Sequence, residues 1–258
     1  MDYSIKELMA CWLSRDLLDG EDVAVGANFP IARAASLLAY YLNGPNIRTM
    51  MGGFRVNMEC IDQPTNMAFF SDFRPVRWAE SVTNFTTQMF SFHKLDAFFI
   101  SGIQIDAHGN SNLIGIRGEN KRFRFRGPGT IGTTTLAAVA RRYYIIAEHH
   151  TSRVFVERCS IIGAMGFGDG SPGLRKKLNL PGAGPKYCVT PLGIFDYSPD
   201  SHRMRLKSLH PGVTLDQITD NTGFQIEIPE QIIETEPPTA EELEIPRSRV
   251  DPNGELKQ

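Results

Sequence analysis

The stretch Val23–Gly53, VAVGANFPIARAASLLAYYLNGPNIRTMMGG, reads as strand, turn, helix, turn, strand. Val23, Ala24 and Val25 form a short apolar run that ends at Gly26. Pro30 stands where a helix starts, because its fixed φ suits the first turn and its missing N–H has no partner to lose there. Ile31 to Tyr41 carries the helix, and Asn43-Gly44-Pro45 breaks it. Ile47 to Met51 is a second strand candidate that stops at Gly52-Gly53. Two neighbouring parallel strands need such a crossover, so the stretch predicts a βαβ unit.

The pattern continues on both sides. Ser4 can cap a helix in which Ile5, Leu8, Met9 and Trp12 recur at helical spacing. Ala97–Ile100, Tyr143–Ala147 and Val154–Val156 are further short apolar runs between turn signals. Strands alternating with helical stretches predict an α/β fold, an open, mostly parallel sheet flanked by helices. Past Pro181 the character changes. Tyr187–Thr190 and Ile194–Tyr197 flank Pro191-Leu192-Gly193, and with Met204–Leu209 they predict a small antiparallel patch near the C-terminus. Thr214 to Asp220 reads as a short capped helix. Residues 1–226 are thus expected to form one α/β domain, and the acidic, proline-rich stretch 227–258 an extended tail.

Composition excludes several classes of function. With 258 residues and a formal charge of -2, the chain has no overall electrostatic bias toward nucleic acid or anionic membrane. Its N-terminus is acidic and amphipathic instead of basic and apolar, and no stretch approaches the roughly 18 apolar residues of a membrane span, so a cytoplasmic protein is expected. Cys11, Cys60, Cys159 and Cys188 are far apart and form no CxxC pair, which argues against a disulfide framework or zinc site. His149 and His150 are adjacent, a spacing that on a strand sends the two rings to opposite faces. No metal is expected.

Gly127-Pro128-Gly129-Thr130-Ile131-Gly132 fits GxGxxG, with a helix-like stretch after it from Thr133 to Arg142. The preceding Lys121-Arg122-Phe123-Arg124-Phe125-Arg126 alternates charge and ring, unlike the buried apolar strand that opens a dinucleotide site. Two readings remain from the residues. Either the glycine backbone N–H groups face an anion or developing oxyanion beside Arg126, or the glycines only make a tight turn next to a solvated edge. On the first reading, Gly26, Gly52 and Gly127 should stand at the carboxyl edges of the parallel strands, where open α/β sheets bind ligands.

The order of these motifs resembles the β subunit of the class I CoA-transferase family, of the glutaconate CoA-transferase type, from about Lys6 to Asp251. Gly102–Asn112, GIQIDAHGNSN, is similar to the family's GAQID-x-x-GN-x-N segment. RFRGPGT (Arg124–Thr130), LNLPGAGP (Leu178–Pro185) and NTGF (Asn221–Phe224) match further family segments in the right order. The resemblance implies a CoA-transferase-type fold, an α subunit as partner in a heterodimer or heterotetramer, an acyl-CoA thioester as substrate and no permanently bound cofactor. In true transferases of the family a β-subunit glutamate in an ESG or ENG motif carries CoA as a glutamyl thioester. Here the matching stretch is Thr49–Phe54, with Met51 at the glutamate position. A thioether cannot attack, carry and release an acyl group, which turns the reading toward another acyl-CoA reaction.

Within the family, the chain also resembles the β subunit of the steroid-ring-cleaving CoA hydrolases of bacterial cholesterol catabolism. The likeness is carried by Arg126 before the glycine turn, by SLHPGVT at Ser208–Thr214 and by the HxxRVFVE stretch at His150–Glu157. That resemblance implies hydrolytic C–C cleavage of a cyclic β-keto acyl-CoA, with the acid-base residue on the α subunit. Arg126, with the backbone of Gly127 and Gly129, would stabilise developing charge, while Gly26, Asn28, Met51, Gly52 and Gly53 would line the substrate pocket. Gln104 and Asp106 are expected to hold the architecture. CoA transfer between carboxylic acids is the second reading, and a non-catalytic partner subunit the third.

Overall fold

The computed structural model describes residues 2–26, 29–51, 54–58, 76–81, 95–118, 122–130 and 132–257. They divide into two compact units, one made of residues 1–99 with 236–258, the other of residues 100–235.

In the first unit, helix α1 (Ile5–Ser14) starts with a capping box: Ser4 Oγ accepts the Glu7 N–H, and the Glu7 carboxylate accepts the Ser4 N–H. Such a box satisfies two amides that a helix start otherwise leaves open. Strand β1 (Asp22–Ala24) leads through Gly26 to α2 (Pro30–Leu42), and β2 (Arg48–Met51) returns parallel to β1, with Val23 opposite Thr49 and Ala24 opposite Met50. The expected βαβ unit is therefore present, with the helix starting at its proline. Strands β3 (Phe54–Met58) and β4 (Val76–Ser81) extend β2 antiparallel, and β5 (Ala97–Ile100) lies parallel to β1 on its other side. The apolar faces of α1 and α2 are buried through Leu8, Met9, Leu13, Ile31 and Leu38.

The stretch after Glu236 carries more order than its composition suggests. Helix α6 (Ala240–Ile245) has its own capping box from Thr239 and Glu242. The Arg15 guanidinium grips the Glu242 carboxylate through Nε at 2.7 Å and Nη2 at 2.8 Å, and Arg247 reaches Glu7 at 2.8 Å. Val250 and Leu256 are buried. Acidic residues that look solvated in the sequence are thus half of paired, partly buried contacts with α1.

The second unit carries β6 (Gln104–Asp106), β7 (Ser111–Asn112), β8 (Gly115–Arg117), β9 (Phe123–Arg126), β10 (Arg142–Ile146), β11 (Phe155–Val156), β12 (Pro185–Val189), β13 (Gly193–Tyr197) and β14 (Met204–Leu209). Helices α3 (Thr133–Val139), α4 (Leu174–Lys177) and α5 (Leu215–Asn221) lie between and after them. Strand β10 pairs parallel with β12, and β13 and β14 add antiparallel strands, as expected for the C-terminal patch. Both units join a parallel portion to antiparallel additions, so the architecture is the expected α/β class, a mostly parallel sheet flanked by helices with smaller antiparallel pieces. Among the described residues no helix is long and apolar enough to cross a membrane.

Two buried histidines make the second unit sensitive to acid. His150 lies between the Thr190 and Thr222 hydroxyls, both at 2.9 Å, and stacks on Phe155. His210 contacts the Thr190 carbonyl at 2.8 Å and the Thr235 hydroxyl at 3.0 Å, so Nε2 carries its proton. Burial lowers each from the ordinary 6.5 to about 4. In the folded chain both stay neutral where the unfolded chain binds protons, so their contribution is whole above pH 6.5 and is lost as pH falls toward about 4. That gap corresponds to about 3 kcal/mol per ring. Denaturant unfolding free energies measured from pH 7 down to 4 should fall steeply over this window, and less steeply in His150→Gln; an unchanged slope in the variant would contradict the assignment.

Candidate functional site

Arg126 ends β9, which pairs antiparallel with β8, Gly115 opposite Arg126 and Ile116 opposite Phe125. The residues of β9 are exposed, including Phe123 and Phe125, and the Arg126 guanidinium sits 5.3 Å from the centre of the Phe123 ring. This corrects one expectation. Gly127 does not follow a parallel strand but a separate two-stranded hairpin. The reason is visible in the residues: strands of a parallel sheet are buried on both faces, and alternating arginine and phenylalanine cannot be.

The glycine turn is fixed by its backbone. The Gly127 N–H donates to the Ile114 carbonyl at 3.0 Å and the Gly129 N–H to the Leu113 carbonyl at 2.9 Å. These two amides are committed within the chain, so they are not the oxyanion donors that the sequence suggested. Their glycines are required for another reason. A Cβ on Gly127 would run into the Leu113 carbonyl oxygen, and Gly129 adopts φ +93°, a conformation that side chains disfavour. The turn brings bare backbone close to Leu113 and Ile114, between β7 and β8, and leaves Arg126 as the charged group at its edge.

The GIQIDAHGNSN segment builds the wall behind this turn. Asp106, 2% exposed, accepts the His108 and Asn110 N–H groups and the Asn110 amide through Oδ1, and the Asn110 amide and the Cys159 N–H through Oδ2. Burial raises its pKa, and these hydrogen bonds oppose the rise. Gln104 Oε1 accepts from the Asn112 amide at 2.8 Å and from the Ser160 N–H and hydroxyl at 3.1 and 2.9 Å. A carboxylate with both oxygens occupied in this way is a structural anchor, as expected for Asp106, and Gln104 has the same part.

In the first unit Gly26 follows β1 and Met51 ends β2. Because Ala24 stands opposite Met50, the two strands finish side by side at one carboxyl edge. Among the described residues a Cβ at Gly26 would meet only the Phe29 ring, at 4.0 Å. Asn28, Gly52 and Gly53 lie outside the described residues, as does Cys60.

The described cysteines are inert. Cys11, Cys159 and Cys188 are buried and unbridged, and burial pushes the Cys11 thiol up to about 12 and the other two higher. Among the described residues no group of three or more His, Cys, Asp or Glu could hold a metal ion.

Sequence reasoning missed Arg175. Its side chain is buried on α4 and donates to the carbonyls of Gly182 at 2.9 Å, Met165 at 2.8 Å, Gly166 at 3.0 Å and Ala137 at 3.0 Å. It ties the LNLPGAGP segment to the end of α3. The signal was the basic run Arg175-Lys176-Lys177 directly before that motif.

Comparison with known proteins agrees with this architecture. The family model described as coenzyme A transferase matches residues 6–221. The B-type subunit of 3-oxoadipate CoA-transferase from Pseudomonas knackmussii is 32% identical over 95% of this chain and 93% of its own length. The IpdB subunit of the cholesterol ring-cleaving hydrolase from Rhodococcus jostii is 35% identical over 58% of this chain and 57% of its own. Among solved structures, glutaconate coenzyme A-transferase from Acidaminococcus fermentans superposes with a TM-score of 0.85 at 24% identity, covering 100% of this chain and 98% of the other, which supports the fold.

Proposed function

This chain belongs to the coenzyme A transferase family, and from that premise we propose that it is the β-type subunit of a two-subunit enzyme that opens a ring in a cyclic β-keto acyl-CoA by hydrolysis. The observation that carries this reading is Met51 at the end of β2, where the family's transferases place their nucleophilic glutamate. Similarity to a cholesterol ring-cleaving hydrolase subunit supports it.

In the reaction, water adds to the ring ketone β to the thioester carbonyl. The bond between the former ketone carbon and the α carbon breaks. The ketone carbon leaves as a carboxylate, and the electron pair passes into a thioester enolate that then takes up a proton. Arg126 stabilises the enolate oxygen, and the α subunit supplies the group that moves the protons. Gly26 and the strand end at Met51, with Asn28, Gly52 and Gly53, receive the acyl group. Gly127 and Gly129 contribute by letting the thioester approach a turn without side chains.

A second reading, CoA transfer, is favoured by one observation: the 3-oxoadipate CoA-transferase subunit matches 95% of this chain. Arg126→Ala and heavy-oxygen water test both together. A well-placed charge at a developing oxyanion is worth roughly 100- to 1000-fold in rate, so the variant complex should lose at least about tenfold in turnover. Because Arg126 is exposed, its thermal midpoint should barely move. The ring-opened product should carry one solvent oxygen. Unchanged kinetics would assign Arg126 to the surface, and a product that carries CoA on a second acid would favour transfer.

A further inference from the structure

Arg126 comes three residues after Phe123 on β9, and in a regular strand that spacing sends two side chains to opposite faces. Strand β9 is not regular. Phe125 pairs with Ile116 and Phe123 with Arg117, so two steps along β9 answer one along β8 and the register shifts between them. Such a bulge adds one residue to the alternation and re-aims a side chain. Phe123 and Arg126 thereby meet, with the guanidinium carbon 5.3 Å from the ring centre. Among the described residues no carboxylate pairs with this guanidinium, and the ring is the contact that holds it.

The ring has a built seat. A Cβ on Gly115 would stand 2.6 Å from Cδ1 of Phe123 and 2.9 Å from Cε1, so the ring fills the space that a side chain at position 115 would need. Gly115 is also the residue opposite Arg126 in the hairpin, which brings seat, ring and guanidinium to one place. The backbone of Gly115 is itself held. Asn112 Oδ1 accepts its N–H at 3.2 Å, and Asn112 Nδ2 donates to its carbonyl at 2.9 Å and to Gln104 Oε1 at 2.8 Å. Asn112 is fully buried. Order therefore passes from the Gln104–Asn112 pair to Gly115, from Gly115 to the Phe123 ring, and from the ring to Arg126.

An exposed arginine without such a support is spread over many rotamers, and each wrong one leaves the developing oxyanion unpaired. A cation over the face of an aromatic ring is attracted by the ring quadrupole. We propose that Phe123 is a positioning residue: its ring, seated on Gly115 and turned by the β9 bulge, holds the Arg126 guanidinium where the enolate oxygen forms. The proposal rests on the part read above for Arg126, and it gives Phe123 no contact with the substrate.

The experiment uses the two-subunit complex with Phe123→Leu, which keeps an apolar side chain over Gly115 but removes the π face, and Phe123→Tyr, which keeps both. Loss of a cation–π contact at an exposed site corresponds to about two- to fivefold in rate. The kcat of Phe123→Leu should fall by that factor with KM nearly unchanged, because the enolate exists only after the substrate has bound. Phe123→Tyr should keep the wild-type kcat. Phe123 is 40% exposed, so neither thermal midpoint should move much. Added to Arg126→Ala, Phe123→Leu should cost nothing further, since the ring acts through a guanidinium that is then gone. A merely structural role would cost the same in both backgrounds. That additive result would overturn the proposal, as would an equal loss in Phe123→Tyr and Phe123→Leu. Full activity of Phe123→Leu beside an impaired Arg126→Ala would overturn this inference alone, whereas unchanged turnover in Arg126→Ala would remove the reaction read for Arg126 and this role with it. Crystal structures of the complexes read the placement without reference to activity. The guanidinium should stay over the ring in Phe123→Tyr and leave its place in Phe123→Leu; one that keeps its position without the ring would overturn the proposal.

Discussion

Purified without its partner, this chain is expected to turn over no acyl-CoA, and activity should appear when the α-type subunit is added. The expectation follows from what the chain offers a proton. Breaking a C–C bond by water needs a group that can take and return a proton near neutral pH. At the glycine turn the ionisable side chain is Arg126, a guanidinium that can donate a hydrogen bond but has no acceptor for a proton. Several buried ionisable groups of the chain are committed elsewhere. Both oxygens of Asp106 are occupied by backbone and amide donors. His150 and His210 are held neutral between hydroxyls and a carbonyl, and the described thiols are pushed far above neutrality. Loss of general acid-base catalysis alone costs roughly 100- to 10,000-fold. Thioester consumption should therefore be measured for the chain, for the partner and for their mixture at equal concentrations. Turnover by the chain alone at a rate comparable to the mixture would show that it holds its own acid-base group and would defeat the two-subunit assignment.

How much of this was legible in the sequence depends on whether the deciding contacts are local. Strand β14 spans the residues expected of it, Met204–Leu209, because alternating burial along six residues is written into their order. The β1-α2-β2 unit was equally plain, since Gly26, Pro30 and Gly44 punctuate it. Asp106 could be read as an anchor because its partners Asn110 and His108 lie within four residues. Strands β3 and β4 were not foreseen: the pairs Thr49–Val56 and Val56–Ala79 that define them join residues from separate stretches. The glycine turn failed for the same reason. Nothing in Gly127-Pro128-Gly129 shows that its amides are taken by Leu113 and Ile114. Helix α6 is an instructive case, because Thr239 and Glu242 form a local capping signal that the surrounding prolines and acids obscured. What makes that helix worthwhile, the grip of Arg15 on Glu242, spans 227 residues of chain.

No glutamyl-CoA thioester should form on this subunit. A transferase of this family must hold CoA covalently between its two half-reactions, and that requires a carboxylate that attacks the thioester, survives as an anhydride and then a thioester, and leaves again. In the family's ESG or ENG motif this carboxylate stands at the position occupied here by Met51, the last residue of β2. Glu59 is the next acid along the chain, eight residues on. Strand β3 begins at Phe54 and runs antiparallel to β2, with Met51 opposite Phe54, so the chain has already reversed direction well before position 59. The complex should be incubated with a reactive acyl-CoA, treated with borohydride or hydroxylamine, and searched for a modified glutamate by peptide mass. With an acyl-CoA that the complex is shown to consume, an unmodified chain together with solvent oxygen in the product is the outcome of direct attack by water. A stoichiometric adduct on Glu59 would instead make the enzyme a transferase and remove the hydrolytic reading. Met51→Glu is the companion variant: it restores the functional group without the neighbours that hold it in attacking geometry, and since correct placement alone can supply about 7–11 kcal/mol of a barrier, it should gain little transfer activity.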